Sequence, residues 1–78
     1  MPTETLSTTT LSLPVRASDR QVKLESTSGV IPGLRLWMDG ESMTVVSLGV
    51  EPWVLVLRGQ DGSPALDHAS AVTVYLAR

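Results

Sequence analysis

The sequence predicts a small, single-domain, all-β protein, and three observations support this. Apolar and polar residues alternate in short runs, which is typical of half-buried strands. The apolar residues are mostly Leu and Val among many Ser and Thr, and six Gly and five Pro separate the runs. No stretch of ten residues carries helical periodicity. We therefore expect a barrel or a sandwich of five to six short antiparallel strands over residues 11–78, preceded by an extended N-terminal arm over residues 1–10.

The arm and the first strands differ in composition. Met1 to Thr10 is rich in Thr and Ser and lacks Gly, so we expect it to be ordered only where something pairs with it. Leu11 to Val15 alternates, but Pro14 cannot donate a ladder hydrogen bond, so this segment should lie at a sheet edge or break there. Val22 and Leu24 indicate a short half-buried strand.

The middle of the chain predicts a hairpin. Leu34 to Met38 alternates, Asp39-Gly40 is a strong two-residue turn signal, and Glu41 to Leu48 is the return strand. Trp37 has the opposite parity to its apolar neighbours, so it is expected to face outward and to be available as an interface anchor. The side chains expected inward on the return strand are Met43, Val45 and, as an open alternative, Val46.

The remaining strands lie near the C-terminus. Trp53 to Arg58 is apolar on both faces, so it should be a central strand, with Trp53 itself at the rim or in the core. Residues 58–70 read as a long loop, in which Ala65 to Ala69 is long enough for one helical turn. Ala71 to Leu76 is expected to close the domain as the last strand.

Composition argues against several classes of function. There is no Cys and only one His, so neither a disulfide nor a metal centre is expected, and a chain this small then favours oligomerisation or docking as its source of stability. The net charge is −2 and the basic residues form no stripe, so nucleic-acid binding is not expected. No apolar run reaches the roughly 18 residues of a membrane span, and the N-terminus does not read as a signal peptide, so we expect a cytosolic origin.

The individual polar residues favour structural roles. His68 is expected to be tucked under its loop, bonded to a backbone carbonyl or to Asp67, because it has no evident second member for a metal site or a catalytic pair. Asp39 and Glu41 flank Gly40 and are expected to be solvated turn residues. For Arg58 two interpretations stay open: an ion pair with Glu41 or Glu51, and contact with a partner.

The segment from Leu57 to Val72, LRGQDGSPALDHASAV, resembles a pattern of tailed-phage virion proteins. In that pattern a strand ends in Arg-Gly, and a Gly-containing turn, Ala, His and a Val-rich strand follow. The turn at Ile31 to Gly33 and the hairpin after it also resemble the upstream part, so the resemblance spans Thr5 to Ala77. Two departures are Ser63-Pro64, where Gly-Thr is expected, and Ala71, where Gly is usual, which puts a positive φ at Ala71 in doubt.

The resemblance implies a non-enzymatic virion structural protein without a cofactor. We expect a capsid decoration (cement) protein that binds the major capsid protein, sits on the virion surface after assembly in the host cytoplasm, and associates with copies of itself, a trimer being one option. A head–tail connector or tail component is the alternative, and a small ligand-binding or enzymatic β-barrel is a further one. The residues expected to contact partners are Thr5, Leu6, Thr8 and Thr9 in the arm, with Arg35, Trp37 and Arg58 in the folded domain.

Overall fold

The computed structural model describes residues 7–77, and over this range the chain is all-β, as predicted, with no helix. No helix in this range could span a membrane. The six strands are β1 (Ser7–Thr10), β2 (Gln21–Lys23), β3 (Arg35–Met38), β4 (Glu41–Leu48), β5 (Trp53–Gln60) and β6 (Thr73–Ala77).

The strands form a single antiparallel sheet that curls into a half-barrel, in the order β1-β6-β3-β4-β5-β2. The two edges of the sheet approach each other beyond the end of β1. There Leu11 forms an isolated bridge with Leu24, and the Ser12 N–H donates to the Lys23 carbonyl at 2.9 Å. The curl thus encloses one face of the sheet and leaves the other face outside.

The β3–β4 hairpin turns at Asp39-Gly40, as predicted. Both residues have positive φ, 47° and 79°, which is the pattern of a type I′ turn. Met38 and Glu41 therefore stand directly opposite each other and point to the same side of the sheet. This two-residue turn fixes the face of the β4 side chains from Glu41 to Val45.

Two irregularities in the β4–β5 ladder adjust the sheet near its ends. Between the pairs Ser42–Gln60 and Thr44–Leu57, β5 holds one extra residue, at Arg58-Gly59. Gly59 has a φ of +60°, and a Cβ there would lie 3.1 Å from the Ser63 carbonyl oxygen. β4 holds one extra residue at Val46, which is 43% exposed, so of the two Val side chains only Val45 lies inside.

The core fills the concave side of the half-barrel and follows the predicted alternation. A fully buried Val or Leu side chain stabilises the fold by about 1.5–3 kcal/mol, so this layer is the main apolar contribution. The strand predicted to be central over Trp53 to Arg58 is internal, because β5 lies between β4 and β2. The core residues are Leu11, Val15, Val22, Leu24, Val30, Leu34, Leu36, Met38, Met43, Val45, Val54, Val56, Val74 and Leu76.

The structure revises the predicted arm. Ser7–Thr10 pairs with β6 of the same chain and forms an edge strand, while residues 1–6 lie outside the described range. Leu11 to Val15 breaks at Pro14 as expected, so Leu11 and Val15 make separate bridges, to Leu24 and His68.

The long loop also differs from expectation in two places. The helical turn predicted for Ala65 to Ala69 is absent, since this stretch contributes its backbone to other segments instead. Ala71 does adopt a positive φ, 67°, despite lacking the freedom of Gly. Its N–H donates to the Leu11 carbonyl at 2.8 Å, and the Leu11 N–H donates to the Val72 carbonyl. These two backbone hydrogen bonds to Leu11, the residue after β1, stabilise the turn at Ala71.

Candidate functional site

A buried ionic cluster of Glu41, Arg58 and His68 lies at one end of the half-barrel. Glu41 starts β4 and Arg58 lies near the end of β5, both on the concave side with Met43 and Val56. The Arg58 Nε and Nη2 donate to the two carboxylate oxygens of Glu41 at 2.8 and 2.9 Å, with side-chain exposures of 8% and 0%. This is a two-pronged ion pair shielded from water.

The remaining donors of Arg58 bind the backbone of two loops. Nη1 donates to the carbonyls of Arg16 and Asp19 at 2.6 and 2.8 Å, and Nη2 donates to that of Leu66 at 2.6 Å. A guanidinium has five N–H donors, and together with the Glu41 bonds all are used. Arg58 therefore joins the loop after Val15 and the loop after β5 to the sheet.

His68 completes the cluster from the loop side. Its ring is fully buried, with Nε2 2.7 Å from Glu41 Oε1 and Nδ1 3.4 Å from Asp39 Oδ2. Its backbone bonds Val15 in both directions, at 2.7 and 2.8 Å. The predicted burial is correct, but the predicted partner, Asp67 or a carbonyl, is wrong, because Asp67 instead accepts the Ala17 N–H.

The pKa of Glu41 reflects the competition between burial and hydrogen bonding. Burial raises this pKa, whereas hydrogen bonds from Arg58, the Leu66 N–H, His68 and the Gly59 N–H lower it, and the outcome is a pKa of about 2. Glu41 is thus a buried carboxylate that stays ionised, and the prediction of a solvated turn residue is wrong for it. Asp39, with 56% of its side chain exposed, matches that prediction.

The cluster is chemically saturated. No buried side-chain nitrogen or oxygen among residues 7–77 lacks a hydrogen-bond partner, and the same range holds no set of three potential metal ligands grouped as a site. One carboxylate and one guanidinium thus link β4 and β5 to two loops.

The second feature is the outer face, by which we mean the convex sheet surface carrying Thr8, Arg35, Trp37, Leu57 and Tyr75. Tyr75 on β6 lies directly between Thr8 on β1 and Trp37 on β3. Trp37, Tyr75 and Leu57 are 37%, 46% and 52% exposed. Adjacent exposed aromatic side chains on rigid strands are the kind of group that anchors protein interfaces.

Arg35 is held at the border of the outer face by Asp61. The Arg35 Nε donates to Asp61 Oδ2 at 2.9 Å, and the Ser42 hydroxyl donates to the same oxygen at 2.6 Å. The hydrogen bond from Ser42, followed by that from Arg35, lowers the pKa of Asp61. Both charged side chains remain about two-fifths exposed, so this pair is accessible from outside.

The structure sorts the residues expected to contact partners. Thr8, Arg35 and Trp37 lie together on the outer face. Thr9 faces the other way, and its hydroxyl accepts the Ser26 N–H. Arg58 is not available to a partner, because its side chain is buried against Glu41. Thr5 and Leu6 lie outside the described residues. The prediction omitted Tyr75. In the sequence, Thr73 and Tyr75 alternate with the apolar Val74 and Leu76, and this alternation indicates that Tyr75 faces outward.

Comparison of the chain with protein-family models, with curated proteins and with solved structures finds no match.

Proposed function

We propose that this chain is a non-enzymatic virion structural protein, a capsid decoration protein that binds the major capsid protein through its outer face. The observation that carries the proposal is the pairing of Trp37 with Tyr75 on an exposed, rigid sheet surface. The sequence resemblance to tailed-phage virion proteins names the class of partner.

The residues of the resembling segment support a structural role. Arg58, Gly59 and His68 are three of its members, and all three bond the Glu41 carboxylate. These bonds hold the long loop against the concave side of the sheet. The convex surface is therefore not covered by the loop. A small domain with a stiff frame and an open face is suited to adding contact area across junctions between shell subunits.

Binding would be driven by burial of the aromatic pair. Trp and Tyr bury large apolar surfaces with little loss of side-chain entropy, and each has a polar atom for a rim hydrogen bond. Arg35 and Asp61 border the pair and would contribute orientation more than affinity, because exposed ion pairs contribute little. Many weak, identical contacts on a repeated lattice then stabilise the shell and the bound domains together.

The test is binding of purified protein to shells that lack it, measured by cosedimentation. Trp37→Ser should weaken binding about 30-fold, the effect of losing ~2 kcal/mol at an interface anchor. Val50→Ser is the matched control, because Val50 is 85% exposed in the turn between β4 and β5, away from the aromatic pair. Equal binding by the wild type and Trp37→Ser would reject the outer face as the docking surface.

A further inference from the structure

The outer face continues from β3 across β4 and β5 to the edge strand β2. Arg35 on β3 and Leu57 on β5 both lie opposite Thr44 of β4, so they share one face. Trp53 lies four residues before Leu57 on β5 and therefore points to the same side, and Lys23 on β2 lies directly opposite Trp53. The face thus carries a cation beside an apolar side chain near each of its ends.

Arg35 and Lys23 are the only charged side chains that the strands present on this face. Among the strand residues between 7 and 77, the two other charged side chains, Glu41 and Arg58, bind each other on the concave side. The chain as a whole carries a net charge of −2. The outer face is therefore locally cationic on a protein that is acidic overall.

Both cations have donors that the chain itself does not use. The Arg35 Nε donates to Asp61, but Nη1 and Nη2 donate to no acceptor within residues 7–77. Because Asp61 is held in turn by the Ser42 hydroxyl, the Arg35 guanidinium is positioned before a partner binds. Lys23 forms no ion pair in the same part of the chain. Both side chains can therefore donate to carboxylates of a partner.

A groove of about 520 Å³ adjoins Lys23 and gives this end of the face room for a partner side chain. Trp53 supplies an apolar wall of the groove, and Arg20 adds a further cation to its lining. Asp19, the acidic residue of the lining, already accepts a backbone N–H of its own turn at 2.9 Å. The groove therefore favours an acidic side chain that lies next to an apolar one.

We infer that the outer face recognises an acidic protein surface, on which carboxylates lie next to apolar side chains. The apolar groups would pack on Trp37 and Trp53, and the carboxylates would accept hydrogen bonds from Arg35 and Lys23. This inference rests on the proposed docking through the outer face and adds the chemistry of the partner. A nucleic acid matches the face less well, because two separate cations neutralise few phosphates.

The two cations act as separate contact points. Three strand spacings and four residues along β5 separate Arg35 from Lys23, a distance of roughly 20 Å. This distance exceeds the Debye length of about 10 Å at about 0.1 M salt. The effects of removing the two charges should therefore be independent and should multiply in the double variant.

The experiment is cosedimentation with shells that lack this chain, at about 50 mM and about 300 mM NaCl. At low salt, Arg35→Met and Lys23→Met should each weaken binding about fivefold, and the double variant about 25-fold. At high salt, each single variant should approach the wild type because the charges are screened. Arg16→Met is the matched control, because it removes one exposed positive charge from a loop outside the strands and should bind like the wild type.

The variants separate this inference from the proposed function. Wild-type binding by Arg35→Met and Lys23→Met at low salt, with Trp37→Ser still weakened, would overturn the acidic partner alone. Wild-type binding by Trp37→Ser would reject the docking surface and the inference with it. Equal weakening by Arg16→Met would assign the effect to net charge and overturn the inference, as would displacement of the shells by a single-stranded oligonucleotide.

Discussion

The buried ionic cluster and the outer face lie on opposite sides of the same sheet, and they differ in which residues are buried: charged side chains are buried in the cluster, and aromatic side chains are exposed on the outer face. In one hairpin, Glu41 is fully buried while Trp37, four residues earlier, is 37% exposed. The carboxylate is matched by five hydrogen bonds, which come from β5 and from the loop that follows it. The aromatic ring has no comparable enclosure. The difference separates a part of the molecule whose side chains are bonded to their own chain from a part whose side chains are exposed.

The largest expected effect comes from breaking the cluster at Arg58. Arg58→Met leaves the Glu41 charge buried without its main partner, which costs about 3–5 kcal/mol of unfolding free energy. Arg35→Met is the matched control, because it removes an exposed ion pair, which contributes little to the free energy of unfolding. Denaturant unfolding measures both. Similar losses for the two variants would contradict the distinction between the cluster and the surface.

Acid should weaken the cluster next. The pKa of Glu41 is lowered from 4.5 to about 2, so its contribution is complete above pH 4.5 and is lost as the pH falls toward 2. The loss is on the order of 3 kcal/mol. The lowered pKa of Asp61 acts in the same direction. Unfolding free energies along a pH series should fall less steeply for Glu41→Gln than for the wild type, and parallel curves would refute the assignment to Glu41.

Gly59 tests whether the backbone at the cluster is as constrained as its side chains. Gly59→Ala should cost about 2 kcal/mol or more, because a left-handed Ala is strained and its Cβ lies 3.1 Å from a carbonyl oxygen. Gly62→Ala shares the positive φ, 77°, but its Cβ meets nothing within 4 Å, so about 1 kcal/mol is expected. Comparing the thermal unfolding of these two variants separates the effect of steric crowding at Gly59 from the effect of the positive φ that both positions share. Equal melting temperatures would show that crowding at Gly59 has no effect.

The smallest effect belongs to Ala71. Relief of its positive φ in Ala71→Gly should raise the unfolding free energy by a few tenths to about 1 kcal/mol, since the added freedom of the unfolded chain offsets part of the gain. The outer face lies elsewhere, so particle binding should not change. A destabilised Ala71→Gly protein would show that the turn is unstrained.

Much of the fold could be predicted from local patterns, because alternation and turn chemistry act over a few residues. The β3–β4 hairpin and the inner faces of β4 and β5 follow from parity and from Asp39-Gly40. β1 could not be predicted from its own residues, because Ser7–Thr10 has no buried apolar side chain and is a strand only through pairing with β6.

The sequence does contain an indication of the ionic cluster, but it is easily overlooked because charged residues are not expected at inward positions. Glu41 shares parity with Met43 and Val45, and Arg58 shares parity with Val54 and Val56, so two opposite charges stood at inward positions. Proximity to Gly40 favoured a turn role for Glu41. The bond between His68 and Glu41 spans 27 residues, and the bond from Arg58 to the Arg16 carbonyl spans 42, and no local pattern encodes contacts of such length.

The most direct test of the central claim is the number of copies of this chain in purified virus particles from its source, measured by quantitative mass spectrometry against the major shell protein. A decoration protein bound at repeated lattice sites should be present in simple stoichiometric proportion to that shell protein. A few copies per particle would assign the chain to the connector or tail instead, and absence from particles would contradict the virion proposal.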